Sequence, residues 1–154
     1  RVIFLGQSVV YPGPVSIAES LEGISRERLL EMPVAEELQM GLSLGLSLQG
    51  FIPVSIFPRM DFLIVAANQL VNHLDKMEEM SWGRFRPKVI IRTVVGATRP
   101  LHPGPQHCQD HVQALKCLLR NIAVVPLQDA EGIVPAYQYA LAAAGSTILV
   151  ELME

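Results

Sequence analysis

Residues 33–50 read PVAEELQMGLSLGLSLQG and run directly into FIPVSIF at 51–57. Leu38, Leu42 and Leu46, with Leu44 and Leu48, recur at helical spacing, and Pro33, Glu36 and Glu37 suit a helix's first turn. Met32 to Met40 therefore reads as helix. Gly41 and Gly45 strip its next turns of bulk, so a backbone, a cofactor or another helix comes close there, and Glu36 sits at that approach surface. Gly50 stands where the helix stops, and Phe51 to Phe57 begins a β-rich run. The span Leu38–Pro58 has no charge and approaches the length of a membrane crossing. Gln39, Ser43, Ser47, Gln49, the glycines and Pro53 break its apolar surface, and helix followed by buried strand accounts for it.

Outward from this unit, Asp61 is placed to cap a helix from Phe62 to about Met77, and Lys88–Val95 reads as a strand. Residues 96–109 hold three prolines, two glycines and two histidines, a long loop of the kind that carries function between rigid elements. A helix near Asp110–Arg120, a strand at Ile122–Val125, a helix from about Asp129 to Ala144 and a strand at Thr147–Glu151 complete the pattern. Strands and helices alternate, and the apolar strands need cover on both faces. This predicts an α/β three-layer sandwich with a mostly parallel sheet and helices on both sides.

A chain of 154 residues fits one domain, 1–154, burying roughly 70% of its unfolded surface without a disulfide or metal. Half the residues are hydrophobic and the net charge is -3, which leaves no basic stripe for nucleic acid and no polybasic patch for anionic lipid. The two cysteines, Cys108 and Cys117, make no C-x-x-C pair and suit free thiols in a reducing cytoplasm. Arg1–Leu5, followed by Gly6 and Gln7, is too short for a signal h-region and lacks a cleavage site. A cytoplasmic protein with no membrane partner is expected.

Four groups of residues suggest chemistry. Gly41-Leu42-Ser43-Leu44-Gly45 spells the G-x-S-x-G of a serine hydrolase, with Asp61 or Asp75 and His107 in order, but the motif needs a strand before its serine and Ser43 falls mid-helix. His102, His107 and His111 with Cys108 are zinc-ligand types. No upstream Cys pair accompanies them and no Glu follows His107, so no metal site is expected. Phe57–Phe62 lies at a predicted strand end, where ligands of open parallel sheets bind. Glu36 is the fourth; an acid in a first turn ordinarily only complements the dipole.

Taken together, Pro33–Gly50, Pro53–Asn72, His107-Cys108-Gln109, and Val124-Val125-Pro126 with Asp129-Ala130 and Gly132 resemble the pyrimidine-binding domain of thiamine-diphosphate enzymes. The likeness is greatest to the beta subunit of the decarboxylating component of 2-oxo acid dehydrogenases, a transketolase-like group. The resemblance implies that Glu36 hydrogen-bonds a ring nitrogen of the aminopyrimidine. Sharing a proton there shifts the exocyclic amine to its imino form, which deprotonates the thiazolium carbon for attack on a 2-oxo carbon. Such a relay needs a carboxylate in a dry pocket, which suits an acid against glycine-thinned walls. It also implies that Phe62 packs on the pyrimidine, that His107 is the active-site histidine of the loop, and that Gly41, Gly45 and Gly50 permit close helix packing between domains. Arg59, unusual for the family, is expected at the pocket mouth with Gln109, facing an anionic substrate group.

No Gly-Asp-Gly segment with a distant asparagine occurs, so the resemblance implies thiamine diphosphate with magnesium held by a diphosphate-binding alpha-type partner. A lipoyl acyltransferase is a further partner, and a heterotetramer or a homodimer of the domain the expected assembly. Family beta subunits usually continue past this point, which suggests a trimmed subunit or a fragment. Gln7-Ser8 stands where many members carry acids, Ile56 replaces a frequent acid or polar residue, and Cys108 replaces a serine. The expected function is 2-oxo acid decarboxylation and acyl transfer. Alternatives are a split carboligase or transketolase-like enzyme making acyloins or sugars, a non-catalytic relative, and the hydrolase.

Overall fold

A computed structural model describes residues 1–11, 17–100 and 102–152. The expected domain and its 96–109 loop thus include positions, Leu101 among them, that lie outside the described residues. Six strands form one sheet: β1 (Val2–Gly6), β2 (Leu29–Glu31), β3 (Ile52–Phe57), β4 (Ile90–Val95), β5 (Ala123–Leu127) and β6 (Thr147–Leu152), in the order β2-β1-β3-β4-β6-β5. Every neighbouring pair is parallel. The helices are α1 (Glu36–Leu48), α2 (Met60–Leu63), α3 (Met77–Met80), α4 (Val112–Leu118) and α5 (Ile133–Ala142).

Parallel strands are joined by crossovers that lay helices on the sheet, so the central strands are apolar on both sides. Phe57, Val89, Ile91, Ile148 and Val150 face Met40 and Leu44 of α1, Met60 and Leu63 of α2, and Val112 and Leu115 of α4. On the other side Val54, Ile56, Ile90 and Leu149 meet α5 through Ala140, Ile133 and Tyr137, and a short 3₁₀ turn through Leu21. The predicted three-layer sandwich is therefore found. Burial of a Leu, Ile or Met side chain contributes about 1.5–3 kcal/mol each, and these two clusters hold the layers together.

Element bounds differ in informative ways. Helix α1 begins at Glu36, four residues after the predicted start, because Ala35 at its N-cap is non-helical (φ -154°, ψ 74°) and Met32 already continues the β2 edge, donating to the Gly6 carbonyl. It ends in a Schellman motif: Phe51 N–H bonds Leu46 O and Gly50 N–H bonds Ser47 O, with Gly50 at φ +82°. The predicted helix from Phe62 to Met77 is not one α-helix. It is α2, then a 3₁₀ turn (Ile64–Ala66), then a π-helical stretch (Asn68–Leu74), then α3. Asp61 does not cap it; Arg59 stands at that N-cap and the Asp61 carboxylate is engaged elsewhere. The membrane-like span resolves into α1 and β3, and no helix among the described residues is long and apolar enough to cross a membrane.

Candidate functional site

The carboxyl ends of β2, β1, β3 and β4, four adjacent strands, deliver four short segments to one edge of the sheet. After β1 the chain passes left to β2 and then crosses over to β3 on the right, so the strand order reverses between β1 and β3. Crevices outside the carboxyl ends at such a reversal are where open α/β sheets bind ligands.

Glu36 opens α1 above this point, only 7% exposed. A buried carboxylate needs donors. The helix N-terminus supplies a favourable dipole, and Gln7, the first residue after β1, donates from Nε2 to Glu36 Oε1 at 3.2 Å. Its second oxygen accepts no hydrogen bond among the described residues. One turn on, Gln39 is fully buried and donates to Ser55 Oγ (3.1 Å) and the Ile56 carbonyl (3.0 Å) of β3, leaving its own Oε1 without a partner. Ser43 follows, fully buried, its hydroxyl donating to the Gln39 carbonyl at 2.8 Å. The hydrolase motif is thereby a mid-helix coincidence: Ser43 faces the sheet, bonded to its own helix.

The face of α1 that packs on the sheet is thus Glu36, Gln39, Met40, Ser43 and Leu44. The leucines divide: Leu44 is buried in the core, Leu42 and Leu46 are half-buried, and Leu38 and Leu48 stand at the surface. Leu38 is 59% exposed and Leu48 37%, Gly45 has open space around it, and a Cβ at Gly41 would meet only the Gln69 side chain, at 3.6 Å. Ile64 and Val65 are exposed on the turn that packs beside α1. The π-helical stretch that follows carries Asn68, which donates from Nδ2 to Glu37 Oε1 at 2.9 Å. Beside the buried acid, then, runs an open apolar surface thinned by glycine.

The second half of the site is a clasp between residues 59–62 and 107–111. Arg59 Nη1 donates to the His107 carbonyl at 3.4 Å. Gln109 donates twice to Asp61 Oδ1, from Nε2 at 2.8 Å and from its backbone at 3.3 Å. Phe62 and His107 meet edge to face, ring centres 5.6 Å apart at 86°. His111 N–H points at Met60 Sδ, 3.4 Å away. Arg59 and Gln109, expected at the substrate, are both engaged with the chain itself. Phe62, expected on the cofactor, has its ring against His107. Asp61 Oδ2 is buried and unpartnered. Cys108 and Cys117 are free, and no set of three metal-ligand side chains occurs among the described residues.

The sequence singles out Glu36, Phe62 and His107 as candidates, whereas the contacts of Gln7, Gln39, Ser55 and Gly96 emerge only from the fold. Gln39 carries a signal in retrospect: with Ser43 and Glu36 it makes a polar stripe at i, i+3, i+7 through an uncharged helix, the pattern of a buried polar seam.

No protein-family model matches the chain. Among curated proteins it is 32% identical over 110 residues to the pyruvate dehydrogenase E1 component subunit beta of Gracilaria tenuistipitata var. liui, covering 70% of this chain and 33% of that protein. It is 29% identical over 140 residues to the mitochondrial pyruvate dehydrogenase E1 component subunit beta of Ascaris suum, covering 88% and 38%. The beta subunit of acetoin:2,6-dichlorophenolindophenol oxidoreductase of Cupriavidus necator is 27% identical over 132 residues, covering 79% and 37%. The chain spans about a third of the length of these relatives. Among solved structures, a split-gene transketolase described as an inactive beta4 tetramer superposes with a TM-score of 0.71 at 19% identity, covering 97% of this chain and 44% of that one. Transketolase from Leishmania mexicana gives 0.68 at 18% identity, covering 97% and 22%.

Proposed function

We propose that this chain, a transketolase-like pyrimidine-binding domain resembling the pyruvate dehydrogenase E1 beta subunit, binds the aminopyrimidine of thiamine diphosphate within a 2-oxo acid dehydrogenase. Thiamine diphosphate, when bound, supplies a carbon nucleophile for decarboxylating a 2-oxo acid. The observation that carries the reading is Glu36: a buried carboxylate at a helix start, held through one oxygen by Gln7 and with the other free of partners among the described residues. That arrangement fits a ring nitrogen of the cofactor, because one oxygen stays available to accept or hold a proton while the first is fixed in place.

The residues of this chain divide the work. Glu36 holds the proton shared with the pyrimidine, Gly41 and Gly45 leave room for close approach, and Phe62 offers an aromatic wall. His107, whose imidazole can both donate and accept a proton, moves protons near the reacting carbon. Residues 1–154 act as one such domain. The diphosphate and its magnesium fall to an alpha-type partner carrying a Gly-Asp-Gly motif, docked on the exposed face of α1 with Leu38, Gly45 and Leu48. A lipoyl acyltransferase is the acyl acceptor, and a reducing compartment such as the cytoplasm suits the two free thiols.

A transketolase-like carboligase is less well supported, since the transketolase likeness at 19% identity or less speaks only to the fold. The test is Glu36→Gln in the complex captured with thiamine diphosphate and magnesium present. Loss of 2-oxo acid decarboxylation by about a hundredfold or more, with the complex intact, is expected. Unchanged turnover, or a preparation that neither binds the cofactor nor recruits a partner, would make the chain a non-catalytic relative.

A further inference from the structure

Between the end of β4 and the His107 loop there is a gap that only glycine leaves open. Gly96, the residue after β4, is buried, and a Cβ built on it would stand 2.1 Å from Arg59 Nη1 and 2.3 Å from the His107 carbonyl oxygen. The Arg59 guanidinium occupies that gap and donates to the same carbonyl. Arg59 comes from the turn after β3, so one cation joins the carboxyl ends of two adjacent strands to the backbone of the loop histidine.

We propose that Arg59 is a positioning residue for His107, and not a ligand of the substrate. The proposal rests on the reading of His107 as the working histidine of this site. Two further contacts make the clasp directional. Asp61 Oδ1 takes both donors of Gln109, two residues beyond His107, and Phe62 meets the His107 ring at its edge. The backbone that follows the imidazole, from the His107 carbonyl to the Gln109 N–H, is therefore tied to residues 59–61, while the ring is oriented by residue 62. A charge-assisted hydrogen bond to a carbonyl is stronger than a neutral one, and arginine's planar fork loses less rotamer freedom than a lysine would in holding it. Fixing the peptide at 107 fixes where the imidazole starts from. A substrate-binding arginine would instead present its donors to the open cleft.

The experiment uses Arg59→Met, which keeps the stem and removes the donors, beside Arg59→Lys, in the 154-residue chain and in its complex with the diphosphate-binding partner. In the chain, amide hydrogen exchange across residues 104–109 is expected to quicken about tenfold in Arg59→Met, with α4 unchanged, and the ring-current shift of the His107 protons by Phe62 to shrink. Arg59→Lys is expected to restore part of both and remains the test variant if Arg59→Met fails to fold. In the complex, kcat falls about tenfold while KM for the 2-oxo acid stays within twofold. Unaltered loop exchange and ring shift, or a KM raised tenfold at constant kcat, would overturn the assignment and return Arg59 to the substrate. If His107→Ala leaves turnover intact while Arg59→Met still loosens the loop, the clasp stands and the reading of His107 falls.

Discussion

Gly6 and Ile56 are neighbours in the β1–β3 ladder, and a Cβ on the glycine would lie 2.5 Å from the Ile56 carbonyl oxygen. That same oxygen accepts the Gln39 carboxamide at 3.0 Å. The last residue of β1 must therefore lack a side chain for α1 to sit where it does, with Glu36 within reach of Gln7. Gly6→Ala forces backbone, not a flexible side chain, to move. The expected loss of stability is about 1–3 kcal/mol, read as a lower midpoint in denaturant at unchanged slope. Cofactor affinity of the complex should fall with it.

Removing the donor from Glu36 is a gentler probe of the same place. Gln7→Leu leaves a buried carboxylate with no side-chain partner, at a cost of about 1–3 kcal/mol. Calorimetry of variant and wild type at pH 7 checks it, with Gln7→Asn beside Gln7→Leu as a polar control. An unchanged melting temperature in Gln7→Leu would mean that Gln7 only packs.

On the outer face of α1, Gly45→Leu meets no neighbour within the chain. Leucine is a better helix former than glycine by roughly 1 kcal/mol, so the variant should melt at or above the wild-type temperature. Association with the partner subunit should be lost, as read by size-exclusion chromatography with light scattering. Retained assembly would put the partner on another surface.

Asp75 offers a pH test away from the site. Burial pushes its carboxyl up, but the Lys76 ammonium and the backbone N–H groups of Asn121 and Arg120 outweigh that and hold it below the ordinary value. A folded pKa below the unfolded one contributes stability above the unfolded value, about 3.9, and loses it as pH falls through the folded value. Asp75→Asn should be destabilised by about 1–3 kcal/mol at pH 7. The melting temperatures of the two proteins should begin to approach one another below about pH 4 and meet only below the lowered folded value.

Ser43→Ala removes one buried hydroxyl whose partner is its own helix. Stability should move by no more than about 1 kcal/mol, and cofactor-dependent turnover should persist. Ester cleavage abolished by this substitution would instead revive the hydrolase reading.

Four strands of the sheet were legible because they are apolar runs between helical stretches. Val2–Gly6 and Leu29–Glu31 were not: the first has no helical stretch before it to set it off, and three residues at a sheet edge are too few to show a period. The helix at 62–77 was misjudged because local apolar spacing cannot distinguish α from π turns; the change depends on how residues 64–74 pack against α1. Around the site, side chains of distinctive chemistry were readable, whereas Gln7, Gln39 and Gly96 act through contacts 29, 17 and 11 residues away in the chain. The leucines of α1 do not form one stripe: Leu44 is buried in the core while Leu38 and Leu48 stand at the surface. Which side of the helix faces the sheet was decided by hydrogen bonds from Gln39 to β3, a contact that hydropathy does not encode.

The exposed leucines on the outer side of α1 have a cellular corollary. In the chain by itself Leu38, Leu48, Ile64 and Val65 meet water, the sort of surface that chaperones bind and proteases follow. If the proposed partner covers them, the lifetime of an unpartnered copy depends on how quickly that partner arrives, and the amount of this protein in a cell would follow the partner's supply as much as its own synthesis.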